Sequence, residues 1–317
     1  MIVFRDPREV PRDFGPSAVA IGKFDGVHAG HRAVIRRLKE AAAASGVAAV
    51  AVTFDRNPLA VLRPDRCPEN VVTVDRKLEL LSELDLDATL VLTFDEELAA
   101  RSAEDFVTDI LVDALHVSTV LVGEDFRFGH GGAGTPALLR ELAPQHGFSV
   151  EVVDDVYLDG SDRRVSSTWI RELLIAGDVR TAARVLDRSV DVRGEVVHGL
   201  KRGRELGYPT ANLSATVDSF VPADGVYAGW LVDHDTGVRH RAAISVGTNP
   251  TFDDVLQRQV EAHVIGETDL DLYGHDVTVE FVERLRGMVA FEGIEKLKEQ
   301  MAGDVVEAER VLGPAVD

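Results

Sequence analysis

Residues 17–31 read Ser17-Ala18-Val19-Ala20-Ile21-Gly22-Lys23-Phe24-Asp25-Gly26-Val27-His28-Ala29-Gly30-His31. An apolar run of strand length ends at Gly22, a turn carrying Asp25 and Gly26 follows, and residues 31–45 have helical spacing. The glycines let a ligand approach the backbone, and the new helix offers unpaired N–H groups and the positive end of its dipole. His28 and His31 stand three apart, so one helical turn brings both imidazoles to the same anion site. A lone His-x-x-His is ordinarily a pair of surface histidines near a turn. Here the order of strand, glycine turn, paired histidines and helix carries a functional reading. Imidazole N–H groups suit the charge that gathers on phosphate during nucleotidyl transfer, which needs positioning and electrostatic stabilisation and no covalent intermediate. A metal centre would need a third ligand, and no Cys or clear carboxylate nearby supplies one.

Outward from this run, residues 47–54, 88–94, 119–123 and 148–153 also read as short buried strands. Residues 75–84, 103–116 and 136–146 have the length and spacing of helices. Repeated strand–helix units predict right-handed crossovers and a parallel sheet covered on both faces, with ligands beyond the carboxyl ends of the strands. From about residue 191 the pattern changes. Residues 192–198, 225–233, 239–246, 259–265 and 276–285 alternate or run apolar, separated by Gly, Pro and Asp turns, and no long helical pattern follows until 293–311. Successive strands without helices predict an antiparallel β-barrel or sandwich closed by a terminal helix. Helical stretches at 167–175 and 179–186 join the halves, and the boundary is expected near Arg188, giving domains 1–187 and 188–317.

The 317 residues include 34 Lys+Arg against 54 Asp+Glu, a net charge of −20, with 45% apolar and 28% charged residues. Such a chain has enough apolar mass for two cores, and its charge argues against nucleic acid held on a broad basic surface. A small phosphorylated ligand in a cleft remains compatible. Only six of the basic residues are Lys, which reads as a compositional bias of the source genome. The single cysteine, Cys67, excludes an internal disulfide and a multi-cysteine metal cage. The longest stretch without charge, 41–54, is too short to cross a bilayer, and the first residues lack the order of a signal peptide. A cytoplasmic protein with no membrane partner is expected, and a homo-oligomer is compatible with the sequence.

Further runs carry chemistry. Gly123-Glu124-Asp125-Phe126-Arg127-Phe128-Gly129 follows a strand, and Arg164-Val165-Ser166-Ser167-Thr168 precedes a helix, with Arg171 one turn on. Hydroxyls, helix N-terminal amides and an Arg fork make an anion clamp, although serines and threonines there also serve as ordinary helix caps. Gly199, Lys201, Gly203 and Gly207 form a cationic glycine loop without the Gly-Lys-[Ser/Thr] ending of a Walker loop. It leads into Gly207-Tyr208-Pro209-Thr210-Ala211-Asn212. In Gln259-Val260-Glu261-Ala262-His263-Val264 the alternation turns Glu261 to the face opposite Val260 and Val264.

The G-x-F-D-G-x-H-x-G-H run resembles the nucleotidyltransferase module of bacterial bifunctional riboflavin kinase/FMN adenylyltransferases. The resemblance extends along essentially the whole chain, through G-x-x-F-x-F-G at 123–129, R-V-S-S-T at 164–168 and the G-x-P-T-A-N signature of riboflavin kinases at 207–212. It implies an α/β Rossmann-like domain followed by a riboflavin kinase barrel, acting on riboflavin, FMN and ATP with Mg²⁺. By the same resemblance Glu261, His28 and His31 are catalytic. Gly22, Phe24, Asp25, Gly26, Arg164, Ser167, Thr168, Arg171, Gly199, Lys201, Gly203 and Gly207 hold ATP and its phosphates. Asp125, Phe126, Phe128 and Tyr227 contact flavin. Thr210 and Asn212 offer the neutral hard oxygens that Mg²⁺ accepts, and a kinase acting on a primary alcohol needs a base such as Glu261 near that hydroxyl.

Three positions depart from the family pattern: Asn57, where Pro-His-Pro is usual around the middle position; Asp125, where Asn is usual; and Trp169, where a small residue is usual. Asp125 adds negative charge beside a triphosphate unless a metal or Arg56 offsets it. Two alternatives follow: a riboflavin kinase with a weak or repurposed nucleotidyltransferase domain, and a non-catalytic flavin- or nucleotide-binding regulator.

Overall fold

The computed structural model describes residues 1–198, 207–250, 256–267 and 270–314. The chain divides into two compact units, Met1–Ser166 and Ser167–Asp317. The first is built on a parallel sheet of β1 (Ile2–Phe4), β2 (Ser17–Ile21), β3 (Ala48–Phe54), β4 (Ala88–Leu92), β5 (Val117–Gly123) and β6 (Ser149–Val153), in the order β1-β4-β3-β2-β5-β6. Its principal helices are α1 (Ala29–Ser45), α2 (Val74–Ser82) and α3 (Pro136–His146). A short turn at Ala103–Asp105 continues as a π-helix over Phe106–Ala114.

The four strands nearest the sheet centre were legible as apolar runs because both their faces are covered. β2 is buried at all five positions. Its Val19 and Ile21 join Val50, Val52, Val107 and Leu111 in one cluster, while Ala18 and Ala20 alternate to the other face. The edge strand β1 was not read from sequence: it has three residues, Ile2 is exposed, and no alternation can establish itself over that length.

The second unit begins with α4 (Ser167–Ala176) and α5 (Val179–Leu186). A closed antiparallel barrel follows, of β7 (Val190–Val197), β8 (Thr210–Leu213), β9 (Gly225–Asp233), β10 (Arg239–Pro250), β11 (Leu256–Val264) and β12 (Asp276–Arg286), in the order β10-β11-β8-β7-β12-β9. The boundary near Arg188 marks where strand grammar begins, whereas packing divides the chain after Ser166. The reason is α5, whose Val179, Ala182, Val185 and Leu186 are buried and which packs on β7 and β12. Closure requires a close strand approach at Gly229, where a Cβ would lie 2.0 Å from the Glu280 carbonyl oxygen. The terminal helix α6 (Ile294–Leu312) is tied to β12 by a two-pronged pair in which Arg286 donates to Asp304 at 2.8 and 2.6 Å.

Candidate active sites

In the parallel sheet the order reverses between β2 and β5: β2 continues outward to β3, and β5 to β6. The Gly22–Gly26 turn therefore leaves the carboxyl end of β2 at the switch point, where such sheets open a crevice. The turn is strained. Phe24, Gly26 and Val27 have φ of 48°, 82° and 41°, and a β-branched residue in that region costs on the order of 1–3 kcal/mol. Complete burial of the Phe24 and Val27 side chains holds it in place.

The strained turn delivers His28 to the N-cap of α1, where its Nδ1 accepts the His31 backbone N–H at 3.3 Å. The two imidazoles stack at 3.6 Å with 13° between planes, and Phe24 meets His31 edge-on. Gly30 makes room for this, since a Cβ there would lie 3.2 Å from the His28 ring. Burial holds His28 at a pKa of about 3, with the charge of Arg164 acting in the same direction. His31 is pushed well below its ordinary value by burial and by His28, Lys23 and Lys77. Both rings are thus neutral at physiological pH. Because His28 Nδ1 is an acceptor, its proton sits on Nε2, which is left to donate. His31 Nδ1 is buried and finds no hydrogen-bond partner among the described residues, the condition in which a ligand atom is gained cheaply.

Asp25 does not point its Oδ1 at a ligand: that oxygen accepts the Val71 N–H at 2.8 Å and the Val72 N–H at 3.5 Å, fixing the neighbouring loop. Of the two groups that could offset Asp125, a metal or Arg56, Arg56 does not do so. It pairs with Asp55 at 2.8 Å, and Arg164 takes Asp125 at 2.9 Å and Asp155 at 3.2 Å. The expected phosphate clamp Arg164 is therefore already bracketed by two carboxylates. Asn57 Oδ1 accepts the Leu59 N–H at 3.1 Å, a local turn bond. Phe126 and Phe128 stack at 5.5 Å, but Phe128 is buried against Phe106, and Phe126 packs on the core. Ser167 and Thr168 open α4, Arg171 follows one turn later, and Trp169 is buried; these four belong to the second unit.

Sequence reading missed Lys77. It rises from α2 into a small cleft lined by Lys23, Asp25, Arg56, Asn57 and Asn70, and it is buried. Its ammonium donates to the Phe54 carbonyl at 2.7 Å, the Thr53 hydroxyl at 3.2 Å and the Lys23 carbonyl at 3.4 Å. Burial lowers its pKa to about 8 against the opposing pull of Asp25 and Asp55.

In the barrel, register does what the turn does in the first unit. β8 and β11 pair antiparallel with Glu261 opposite Asn212 and His263 opposite Thr210, so these four side chains share one face. Val260, Ala262 and Val264 take the other and are buried. The Thr210 hydroxyl hydrogen-bonds the Glu261 carboxylate, and burial outweighs that bond and raises the carboxyl pKa. Asn212 Nδ2 donates to Thr210 Oγ1 at 3.3 Å, and Gln259 donates to Asn212 Oδ1 at 3.3 Å. Thr210 and Asn212 also line a cleft with Val264, Leu272 and Tyr273.

Gly207 leads into β8 with φ of 89°. Gly199, Lys201 and Gly203 lie outside the described residues. Tyr227 departs from the expectation of flavin contact: it is fully buried against Phe281, its hydroxyl donates to the Ala223 carbonyl, and burial pushes its pKa up to about 12. No helix among the described residues is long and apolar enough to cross a membrane.

Comparison with known proteins finds two family matches in tandem: FAD synthetase over residues 10–169 and riboflavin kinase over residues 186–312. The bifunctional riboflavin kinase/FMN adenylyltransferase of Escherichia coli K12 is 33% identical over 93% of this chain and 92% of its own length. The enzyme of that description from Pseudomonas fluorescens is 36% identical over 93% of each. A crystal structure described as a macrolide-efflux protein from Streptococcus pneumoniae superposes with a TM-score of 0.85 and 28% identity, covering 99% of both chains.

Proposed function

The chain belongs to the bifunctional riboflavin kinase/FMN adenylyltransferase family, and we propose from that premise that each structural unit carries one of two consecutive reactions. In the barrel, the ribityl 5′-hydroxyl of riboflavin attacks the γ-phosphate of ATP, giving FMN and ADP. In the parallel-sheet unit, the FMN phosphate attacks the α-phosphate of a second ATP, giving FAD and pyrophosphate.

The observation that carries the first step is the cross-strand pairing of Glu261 with Asn212. It brings a carboxylate and two neutral oxygens to one face, beside the cleft that Thr210 and Asn212 line. Glu261, with its pKa raised by burial, accepts the proton of the attacking hydroxyl, and a raised pKa brings a carboxylate nearer the operating pH for that task. Thr210 holds the carboxylate in orientation. The donor set fits Mg²⁺, since both Thr210 Oγ1 and Asn212 Oδ1 are hard oxygens, and the ion would add positive charge at the ATP phosphates when bound there.

For the second step, His28 Nε2–H and the neutral His31 ring supply donors that need no protonation to act. Neutral imidazole donors and helix N-terminal amides together stabilise charge on the transferring phosphate. The first amides of α1 support the same anion. We place this activity in the cytoplasm, where both substrates and ATP meet.

The readings of a repurposed domain and of a non-catalytic regulator are not favoured. Asp125 is offset within its own unit by Arg164, the two imidazoles are held stacked, and His31 Nδ1 is buried without a partner among the described residues. Incubation with riboflavin, ATP and Mg²⁺, followed by separation of the flavins, tests the proposal. FMN and FAD are both expected; absence of FMN overturns the barrel assignment, and FMN without FAD overturns the second.

A further inference from the structure

Among the described residues, Lys77 is the one lysine that is buried. It belongs to none of the motifs by which the two activities were recognised. Its three ammonium hydrogens meet three acceptors, the Phe54 and Lys23 carbonyls and the Thr53 hydroxyl. Thr53 itself donates to the Lys23 carbonyl at 3.1 Å, so two independent bonds converge on that one oxygen. Lys23 follows β2, and Thr53 and Phe54 end β3. The ammonium thus laces together two neighbouring strand ends where the strained turn departs. An Arg could not substitute for it without displacing those acceptors, because the guanidinium is broad and planar while the ammonium is a compact three-donor point charge.

The charged groups facing Lys77 are few. Asp25 and Asp55 support its charge, and on the other side its charge, with that of Lys23, adds to burial in holding His31 neutral. Arg56 lines the same cleft and is held by Asp55.

We propose that Lys77 is a positioning residue for adenylyl transfer: its ammonium fixes the Lys23 carbonyl and hence the turn that delivers His28 and His31. This inference rests on the adenylyltransferase reading of the first unit. Loss of the ammonium frees the turn to relax from the positive φ at Phe24 and Val27, and displaces the imidazoles from the transferring phosphate. A displacement of about 1 Å at a reacting centre costs on the order of 10²-fold in rate.

The test uses the full chain, so that FMN formation in the barrel serves as an internal control. Lys77→Met is expected to lower kcat for FAD formation from FMN on the order of 10²-fold, with KM for FMN nearly unchanged and riboflavin phosphorylation intact. In the wild-type chain, kcat for FAD formation is expected to fall as pH rises through about 8, because the neutral amine loses one of its three donors. The FMN phosphate, with its second pKa of about 6, and the two histidines do not titrate in that window. Addition of methylammonium to Lys77→Ala is expected to restore part of the lost kcat. The inference is overturned if Lys77→Met keeps wild-type kcat, or if the wild-type profile is flat from pH 7 to 9.5, a measurement that needs no variant to fold. A wild-type chain that makes no FAD at all overturns the adenylyltransferase reading itself.

Discussion

In the parallel-sheet unit the histidines hang from one continuous run of chain, and a strained turn with a buried lysine beneath it sets their position. In the barrel the candidate groups come from separate strands, and hydrogen-bonded register sets theirs, Glu261 against Asn212. Burial acts on both sites with opposite consequences. It lowers the pKa of His28 and His31 and raises that of Glu261, because in each case it disfavours the charged form. For the imidazoles this secures a neutral donor at any physiological pH. For the carboxylate it brings the base nearer the pH at which it must accept a proton. One physical cause thus prepares a pair of pH-insensitive donors in one unit and a more basic carboxylate in the other.

The comparison breaks most sharply at Glu261. Glu261→Gln is expected to lower FMN formation by roughly 10²–10⁴-fold while FAD formation from supplied FMN stays unchanged, measured by flavin chromatography in parallel assays. The same substitution is expected to raise the thermal stability of the barrel at pH 7. A carboxyl whose pKa is raised on folding stabilises the fold only where it is protonated, and that contribution is lost as pH rises through its folded pKa. Equal loss of both activities would show that the units do not work independently.

His28→Asn comes next. Asn keeps an N-cap acceptor for α1, so the helix survives while the imidazole is lost. FAD formation is expected to fall by roughly 10²–10³-fold, with riboflavin phosphorylation preserved. A smaller effect is expected from Asp125→Asn, which removes one of two carboxylates from Arg164. An exposed pair of this kind is worth at most about 1 kcal/mol, so KM for ATP in FAD formation is expected to drop by no more than about fivefold. A last effect concerns stability in acid and leaves activity aside. Since His28 titrates near 3 when folded and near its ordinary 6.5 when unfolded, stability is complete above pH 6.5 and declines as pH falls toward 3. Calorimetry from pH 7 to 5 should show a shallower decline in His28→Asn than in the wild type.

Much of this was legible in the primary structure, and the reasons for the exceptions are physical. The run at 17–31 disclosed a strand, a turn and a helix because its apolar, glycine and polar segments change period sharply. The alternation in 259–264 put Glu261 on the right face because strand side chains alternate strictly. The environment of Tyr227 was not legible, because an aromatic in a strand carries no mark of which wall of a closed barrel it faces; burial and the Ala223 carbonyl decide that. That Arg164 pairs with Asp125 was not legible. Loops after different strands meet at one end of a sheet regardless of their distance along the chain. Lys77 had a faint signal, since it is one of only six lysines in an arginine-rich chain, and its site accepts a compact ammonium better than a planar fork.

The sequence by itself determined the two fold classes and the two reactions, and it marked the candidate residues for their chemistry. All of these follow from local period and from short motifs whose members sit within a turn or a strand of one another. Tertiary structure alone decided the protonation of the histidines, the raised basicity of Glu261, the bracketing of Arg164 and the role of Lys77. Each of these depends on burial or on a partner many residues away, and no local pattern records the dielectric or the neighbours that a side chain meets once the chain has closed around it.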